Sequence, residues 1–339
     1  MSFRFFDLPA VAITQVLKFY SLWHLTCLSL CSKTAFYIVK NNRDISTKLT
    51  LYVEGGAYIS INVFDDDEYP LETKIMDVTH KRFHMEDRKL PKSRILYQKQ
   101  RFRFSDKVFM SYWDDVKHGV KTVIEYYSNL FNLDVYTVSV TKSTIWMLDY
   151  VETRQSSPYA ACIKRNHLDD DDLTDEDFRT IILTTNADRY WVLESPPSAD
   201  FRIDNFQKKL SVFVMEQGTW ITIENLMTMD CVHLEIYEKK FTNQELNRFI
   251  RHWTEGGSEN LKYLKVKPEN FNEGEVLANM ELRRIPGEQK YKSRFATSLF
   301  HGQILMAKHG TLASIFYNAQ DGFFIMGVWP DELGVCVTW

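Results

Sequence analysis

"LSVFVMEQGTWITIENLMTMDCVHLEIYEKKFTNQELNRFIRHWTEGGSENLKYLKV", Leu210 to Val266, reads as strand, short helix, strand, longer helix and strand with no residue to spare. The longer helix is almost over-specified. Thr242 and Glu245 form a capping box, Leu246, Phe249, Ile250 and Trp253 line one face, and Gly256-Gly257 supplies the left-handed stop. Arg248, Arg251 and His252 sit towards the end whose dipole favours positive charge. The strands around Val212, Leu234 and Leu264 recur at intervals of 22 and 30 residues. That spacing predicts a degenerate strand-helix solenoid of the leucine-rich-repeat kind, without the asparagine ladder of regular repeats. Such repeats stack into a curved sheet whose concave surface is commonly a binding surface.

Downstream, the tail from about Phe295, with turns at Gly302, Gly310 and Gly322, reads as a closing β-meander. Upstream, Thr174 with Asp177 caps a helix bearing Phe178, Ile181 and Ile182, and "RYWVLES" before Pro196-Pro197 is a strand. Before that lies a helical stripe of Val116, Val120, Val123, Tyr127, Leu130 and Phe131, with Ser111 and Asp114 as its opening signal, followed by the strand "DVYTVSV". Leu49, Leu51 and Val53, a Gly55-Gly56 turn, then Ile59, Ile61 and Val63 read as a β-hairpin. Trp220 and Trp253 belong to apolar faces and are expected in the core. Trp191, Tyr190 and Tyr263 either join them or present anchors to a partner.

The first forty residues are a different kind of unit. Ile13, Val16, Leu17 and Tyr20 follow Pro9 at helical spacing. Ser21 caps a second helix with Leu22, Leu25 and Leu28, and Ser32 caps a third through Ala35, Ile38 and Val39. Thr14, Gln15, Lys18, His24 and Ser29 interrupt every window long enough to span a bilayer, and Asp7, Pro9 and Lys18 break the pattern of an export signal. Three short helices bury too little surface to be secure alone. Their excess apolar surface meets either a second polypeptide or the rest of this chain.

A formal net charge of -4 over 339 residues gives no global drive towards nucleic acid or anionic lipid. The exception is local: His80 to Arg103 carries nine Lys or Arg against two acids, interleaved with Phe83, Tyr97, Phe102 and Phe104. A solvated loop facing the acidic runs Asp65 to Glu68 and Asp169 to Asp172 explains it. A single-strand nucleic-acid surface, with Lys99, Arg101 and Arg103 on the phosphates, is the alternative. His80 and His84 lack the nearby glutamate of a metalloprotease helix. Five scattered cysteines, Cys27, Cys31, Cys162, Cys231 and Cys336, suit reduced thiols inside the cell, in cytoplasm or nucleus. The Cys27–Cys31 pair has no second pair at zinc spacing, so no metal and no cofactor is expected. Without a phosphate loop, nucleophile elbow or zinc set, no enzyme class is indicated.

Leu8-Pro9, then Ile13, Val16 and Leu17, then Leu22, Leu25, Leu28 and Cys31 to Lys33, in that order and spacing, resemble an F-box. "SNLFNLDVYTVSV", "WITIENLMTMDCVHLEI", "FTNQELNRFIRHWTEGGSENLKYL" and "GTLASIFYNAQDGFFIMGVW" are similar to blocks of the F-box-associated type 2 domain. The resemblance implies an α+β chain. A small three-helix F-box over residues 1–45 precedes a strand-helix, leucine-rich-repeat-like domain over 46–339 that ends in a β-meander. It further implies a non-catalytic substrate-recognition subunit of an SCF-type E3 ubiquitin ligase, with a Skp-type adaptor, a cullin reached through it, and a protein target. The positions that match the adaptor-contact pattern are Leu8, Pro9, Ile13, Val16, Leu17, Leu25 and Leu28, with Ser32 as a cap. "TAFYIVK" departs from it by lacking the tryptophan or arginine usual after the serine-lysine pair. A stand-alone protein-interaction repeat protein is the alternative.

Overall fold

The computed structural model describes residues 5–43, 48–55, 58–64, 71–80, 101–105, 108–165, 173–204, 206–293 and 297–335. Most of the basic stretch, with His84, and both acidic runs lie outside the described residues. The chain divides into two compact units, Met1–Tyr159 and Ala160–Trp339.

The first unit opens with α1 (Ala10–Leu17), α2 (Leu22–Cys31) and α3 (Lys33–Asn42), and the sequence explains their ends. The Ser21 side chain accepts from the His24 N–H and Ser32 from the Ala35 N–H, each satisfying a first-turn donor that has no partner inside its helix. After them come β1 (Lys48–Glu54), β2 (Tyr58–Phe64), β3 (Leu71–His80), β4 (Arg101–Ser105), β5 (Val108–Trp113), α4 (Val116–Phe131), β6 (Val135–Val140) and α5 (Trp146–Arg154). The strand order is β6-β1-β2-β3-β5-β4. β1 and β2 pair antiparallel as the expected hairpin, whereas β6 joins β1, and β5 joins β3, in parallel. Helix α4 begins later than its sequence signal. Ser111 is buried inside β5, where its hydroxyl donates to the Asp77 carbonyl at 3.0 Å, and Asp115 takes the capping role instead.

The second unit contains β7 (Ala160–Ile163), α6 (Asp175–Thr184), β8 (Tyr190–Leu193), β9 (Lys209–Met215), α7 (Ile223–Thr228), β10 (Asp230–Phe241), α8 (Asn243–Thr254), β11 (Tyr263–Pro268), α9 (Glu273–Val276), β12 (Leu282–Lys292), β13 (Thr297–Met306), β14 (Leu312–Asn318) and β15 (Phe323–Trp329). Strands β7 to β11 run parallel in sequence order, with Leu234 opposite both Phe213 and Leu264. Strand β15 then pairs antiparallel with β11, and β14, β13 and β12 follow as a meander. That meander starts at Leu282, earlier than the glycines suggest. Gly302 lies within β13, while Gly310 and Gly322, at positive φ of 86° and 72°, make the turns.

Strand geometry sends alternate side chains to opposite faces. One face of the parallel run carries Trp191, Phe213, Leu234, Ile236, Leu264 and Val266, all at most 1% exposed. Over it Phe201, Phe206 and Trp220 interlock, with ring centroids 5.4 Å and 5.9 Å from Trp220. The α8 stripe of Leu246, Phe249, Ile250 and Trp253 is equally buried. Buried Asn225 donates to the Ile203 carbonyl at 2.8 Å and Thr228 to that of Phe206 at 3.0 Å. Helix α7 is thereby tied to the segment before it, and the Ile203 and Phe206 carbonyls gain donors.

Candidate functional sites: an apolar helical surface and an open sheet face

In the first unit, α2 and α3 turn one side onto α4. Ser29 Oγ lies 2.7 Å from Tyr126 Oη, the Phe36 ring is 5.2 Å from that of Tyr126, and Trp23 stacks on Phe109 at 6.1 Å. Arg43 donates to the Phe131 carbonyl and lies over its ring. The residues matched to the adaptor pattern divide between the two sides. Ile13, Leu17 and Leu25 are buried within the unit, Leu8, Val16, Leu28 and Ser32 are half-buried, and Pro9 is exposed. Around them large apolar side chains face water: Val11 at 75%, Phe19 at 88% and Tyr37 at 56%, with Phe6 and Tyr20 less open. Scattered exposed apolars are ordinary, but here five fall between Phe6 and Tyr37, with Val11 on α1, Tyr37 on α3, Phe19 and Tyr20 in the turn between α1 and α2, and Phe6 just before α1. Cys27 and Cys31 of α2 are free thiols, and burial together with Cys31 pushes the Cys27 thiol up to about 11.

In the second unit, the sheet face away from Trp191 and Leu234 carries Val212, Val214, His233, Glu235, Tyr237, Tyr263, Lys265 and Lys267, with Phe323 and Ile325 on β15. Its near half is closed. Tyr263 stacks on His233 at 4.6 Å, Tyr291 on Tyr263 at 6.0 Å, and Tyr291 meets Trp329 at 5.1 Å. Gly327 makes the last arrangement possible, since a Cβ there would lie 2.8 Å from the Tyr291 ring.

Within that closed half His233 is wholly buried, with Nε2 2.7 Å from Glu235 and Nδ1 2.9 Å from Glu332. Burial is the largest single influence on the ring and opposes its charge, but the two carboxylates together outweigh it and raise its pKa. Burial likewise opposes the Glu235 carboxylate, and hydrogen bonds from His233 and Tyr237 with the charge of Lys265 lower its pKa in the end. Tyr237 donates to Glu235, and burial, then that carboxylate, raise its hydroxyl well above the usual tyrosine range. The Tyr263 hydroxyl is pushed up to about 12 by burial.

The far half of the face is open. There Lys265 Nζ lies 3.6 Å from Glu235 and 3.1 Å from Tyr237 Oη, and 4.8 Å from the ring centroids of both Tyr237 and Phe323. Lys267 Nζ is 5.7 Å from the Phe323 centroid. This polar cluster has a sequence signal that hydropathy alone passes over. "HLEIY" alternates ionisable and aliphatic residues, so a strand must gather His233, Glu235 and Tyr237 on one side. Glu332, far along the chain, has no such signal. Trp191, Trp220, Trp253 and Tyr263 are at most 1% exposed, whereas Tyr190 is half-buried.

Among the described residues no group of three or more His, Cys, Asp or Glu is placed to hold a metal, and no helix is long and apolar enough to cross a membrane.

No solved structure matches the chain. Over 70 residues it is 34% identical to a protein named E3 ubiquitin-protein ligase hecw-1 of Caenorhabditis elegans, a stretch that covers 20% of this chain and 6% of that relative. The family model described as F-box associated matches residues 200–266, which include β9, β10, the helices α7 and α8 and most of β11, and supports an F-box-associated domain there.

Proposed function

We propose that the chain is a non-catalytic substrate-recognition subunit of an SCF-type E3 ubiquitin ligase, acting inside the cell. The F-box-associated match over 200–266 carries the reading. The exposed apolar helices at the other end of the sequence support it, because a receptor needs one surface for its machinery and another for its target. Residues 1–45 are read as the F-box that recruits a Skp-type adaptor and, through it, a cullin. Leu8, Pro9, Ile13, Val16, Leu17, Leu25 and Leu28 set the contact, and Ser32 caps its third helix. Residues 46–339 hold the target, with strand-helix units stacked in the manner of leucine-rich repeats.

Ile13, Leu17 and Leu25 are buried within their own unit, so they act by shaping the helices. The exposed and half-buried side chains beside them supply the surface. Burying one such side chain contributes about 1.5–3 kcal/mol, so a few suffice against the cost of association. The mechanism is proximity: a target held near a charged ubiquitin carrier is at high effective concentration, and the receptor itself need supply no acid, base or nucleophile.

The deciding experiment is co-purification of the full chain with a Skp-type adaptor. Stoichiometric capture is expected, and a chain that elutes alone at micromolar concentrations of both would rule the assignment out.

A further inference from the structure

The open half of the sheet face in the second unit changes sign across its width. At the β8 and β9 end it carries Glu194 and Glu216, whose carboxylates lie close enough that burial and Glu194 together raise the pKa of Glu216. At the β11 end it carries Lys265 and Lys267. These two stand on one strand, two residues apart, so both project from the same side at a spacing of roughly 6.6 Å.

Each lysine is held over a ring. Phe323, half-buried on the neighbouring strand, lies beneath both, at 4.8 Å from Lys265 Nζ and 5.7 Å from Lys267 Nζ, and Tyr237 flanks Lys265. A lysine with no such support samples many rotamers in water. Attraction to the ring faces and the bond from Lys265 to Tyr237 Oη instead fix where the ammonium groups stand. Glu235 pairs with Lys265 at 3.6 Å but divides its contacts among Lys265, His233 and Tyr237. Lys267 has no carboxylate within ion-pair distance among the described residues. The positive charge at this end is therefore incompletely neutralised, and it sits on an aromatic floor.

We propose that Lys265, Lys267, Phe323 and Tyr237 form the docking site for an extended protein segment bearing Asp or Glu at alternate positions. An extended strand presents side chains i and i+2 on one side at the same roughly 6.6 Å spacing, so two carboxylates meet two ammonium groups while the backbone between them covers the rings. The segment runs along β11, because a path across the sheet towards β9 would bring its acids against Glu216 and Glu194. This assignment rests on the reading of the second unit as a target receptor and names the chemistry of the target's recognition segment.

The test uses the full chain and a fluorescein-labelled peptide of alternating Glu and Ser, followed by fluorescence anisotropy at low salt. Saturable binding is expected. It weakens at least about tenfold both for the same peptide with Gln in place of Glu and for the Lys267→Glu variant. Lys267→Gln, which removes the charge without reversing it, gives an intermediate loss. No binding, equal binding of the Gln peptide, or unchanged binding by both variants would overturn the assignment. So would equal affinity for a short single-stranded DNA, which would mark a general polyanion surface. Adaptor capture, measured on the same samples, separates the two levels. Peptide binding lost with capture intact refutes only the docking site, whereas peptide binding without capture refutes the ligase reading and leaves the site standing.

Discussion

His233 and Glu235 stand two residues apart on β10 and face the same side of the sheet, with the ring Nε2 2.7 Å from the carboxylate and Glu332 on the other ring nitrogen at 2.9 Å. A buried ring between two acids is stable only when charges and hydrogen bonds compensate one another.

The signs of the two shifts set a pH window for folding. His233 is raised above its ordinary 6.5, so its contribution is fully present below that value and is lost as pH rises through the folded pKa. Glu235 is lowered below its ordinary 4.5, so its contribution is present above that value and is lost as pH falls through the folded pKa. Melting temperatures of wild type and His233→Gln should differ most between these two values and converge as pH rises beyond the histidine range. A gap that stays constant up to pH 9 would show that the ring is neutral in the folded chain.

Val11→Asp combined with Phe19→Asp should abolish adaptor capture with little effect on stability, since both side chains face water and such surface changes usually fall within about 0.5 kcal/mol. Leu17→Asp, by contrast, places a charge at a position only 1% exposed and should unfold the helices, as a loss of far-ultraviolet ellipticity would report. Capture that survives the double substitution would place the adaptor contact elsewhere.

Trp253→Ala removes a side chain that is 1% exposed from the α8 stripe and should cost about 3–5 kcal/mol in denaturant unfolding, because the close-packed layer around it recovers only part of the volume. A cost below about 1 kcal/mol would mean that the helix does not seat on the sheet as described.

Thr242→Ala should lower stability by about 1 kcal/mol. The Thr242 hydroxyl takes the Glu245 N–H at 3.2 Å, and the Glu245 carboxylate returns to the Thr242 backbone N–H at 2.8 Å, so the substitution removes the first half of the box and leaves the second. The denaturation midpoint should move with the slope unchanged. A changed slope would point to altered packing beyond the cap.

Gly327→Ala adds a Cβ that would lie 2.8 Å from the Tyr291 ring and 2.9 Å from that of Phe300, and should cost about 1–3 kcal/mol as the rings are forced aside. A neutral outcome would show that the meander rides loosely on β15.

What Leu210 to Val266 determined alone was nearly everything local. The capping pair Thr242–Glu245, the stripe ending at Trp253 and the positive-φ Gly256 follow from residues within a few turns of one another, and the strands around Val212, Leu234 and Leu264 are marked by their own short apolar runs. Ser21 and Ser32 are legible for the same reason: a cap is an interaction across three residues. The signal fails where a residue's partner is distant. Ser111 has the form of a helix cap, but a strand hydrogen bond to Asp77 claims it, and Gly302 has the form of a turn but lies within β13, where the register against β12 shifts. Which side of the β10 alternation would be covered was likewise beyond the sequence. The stacking of Tyr291 and Tyr263 and the carboxylate of Glu332 come from elements far along the chain, and they close the half with His233 while leaving Lys265 and Lys267 open. Local hydrogen-bonding geometry is written into short stretches, whereas exposure, and with it the choice of binding surface, depends on which distant segments pack against each face.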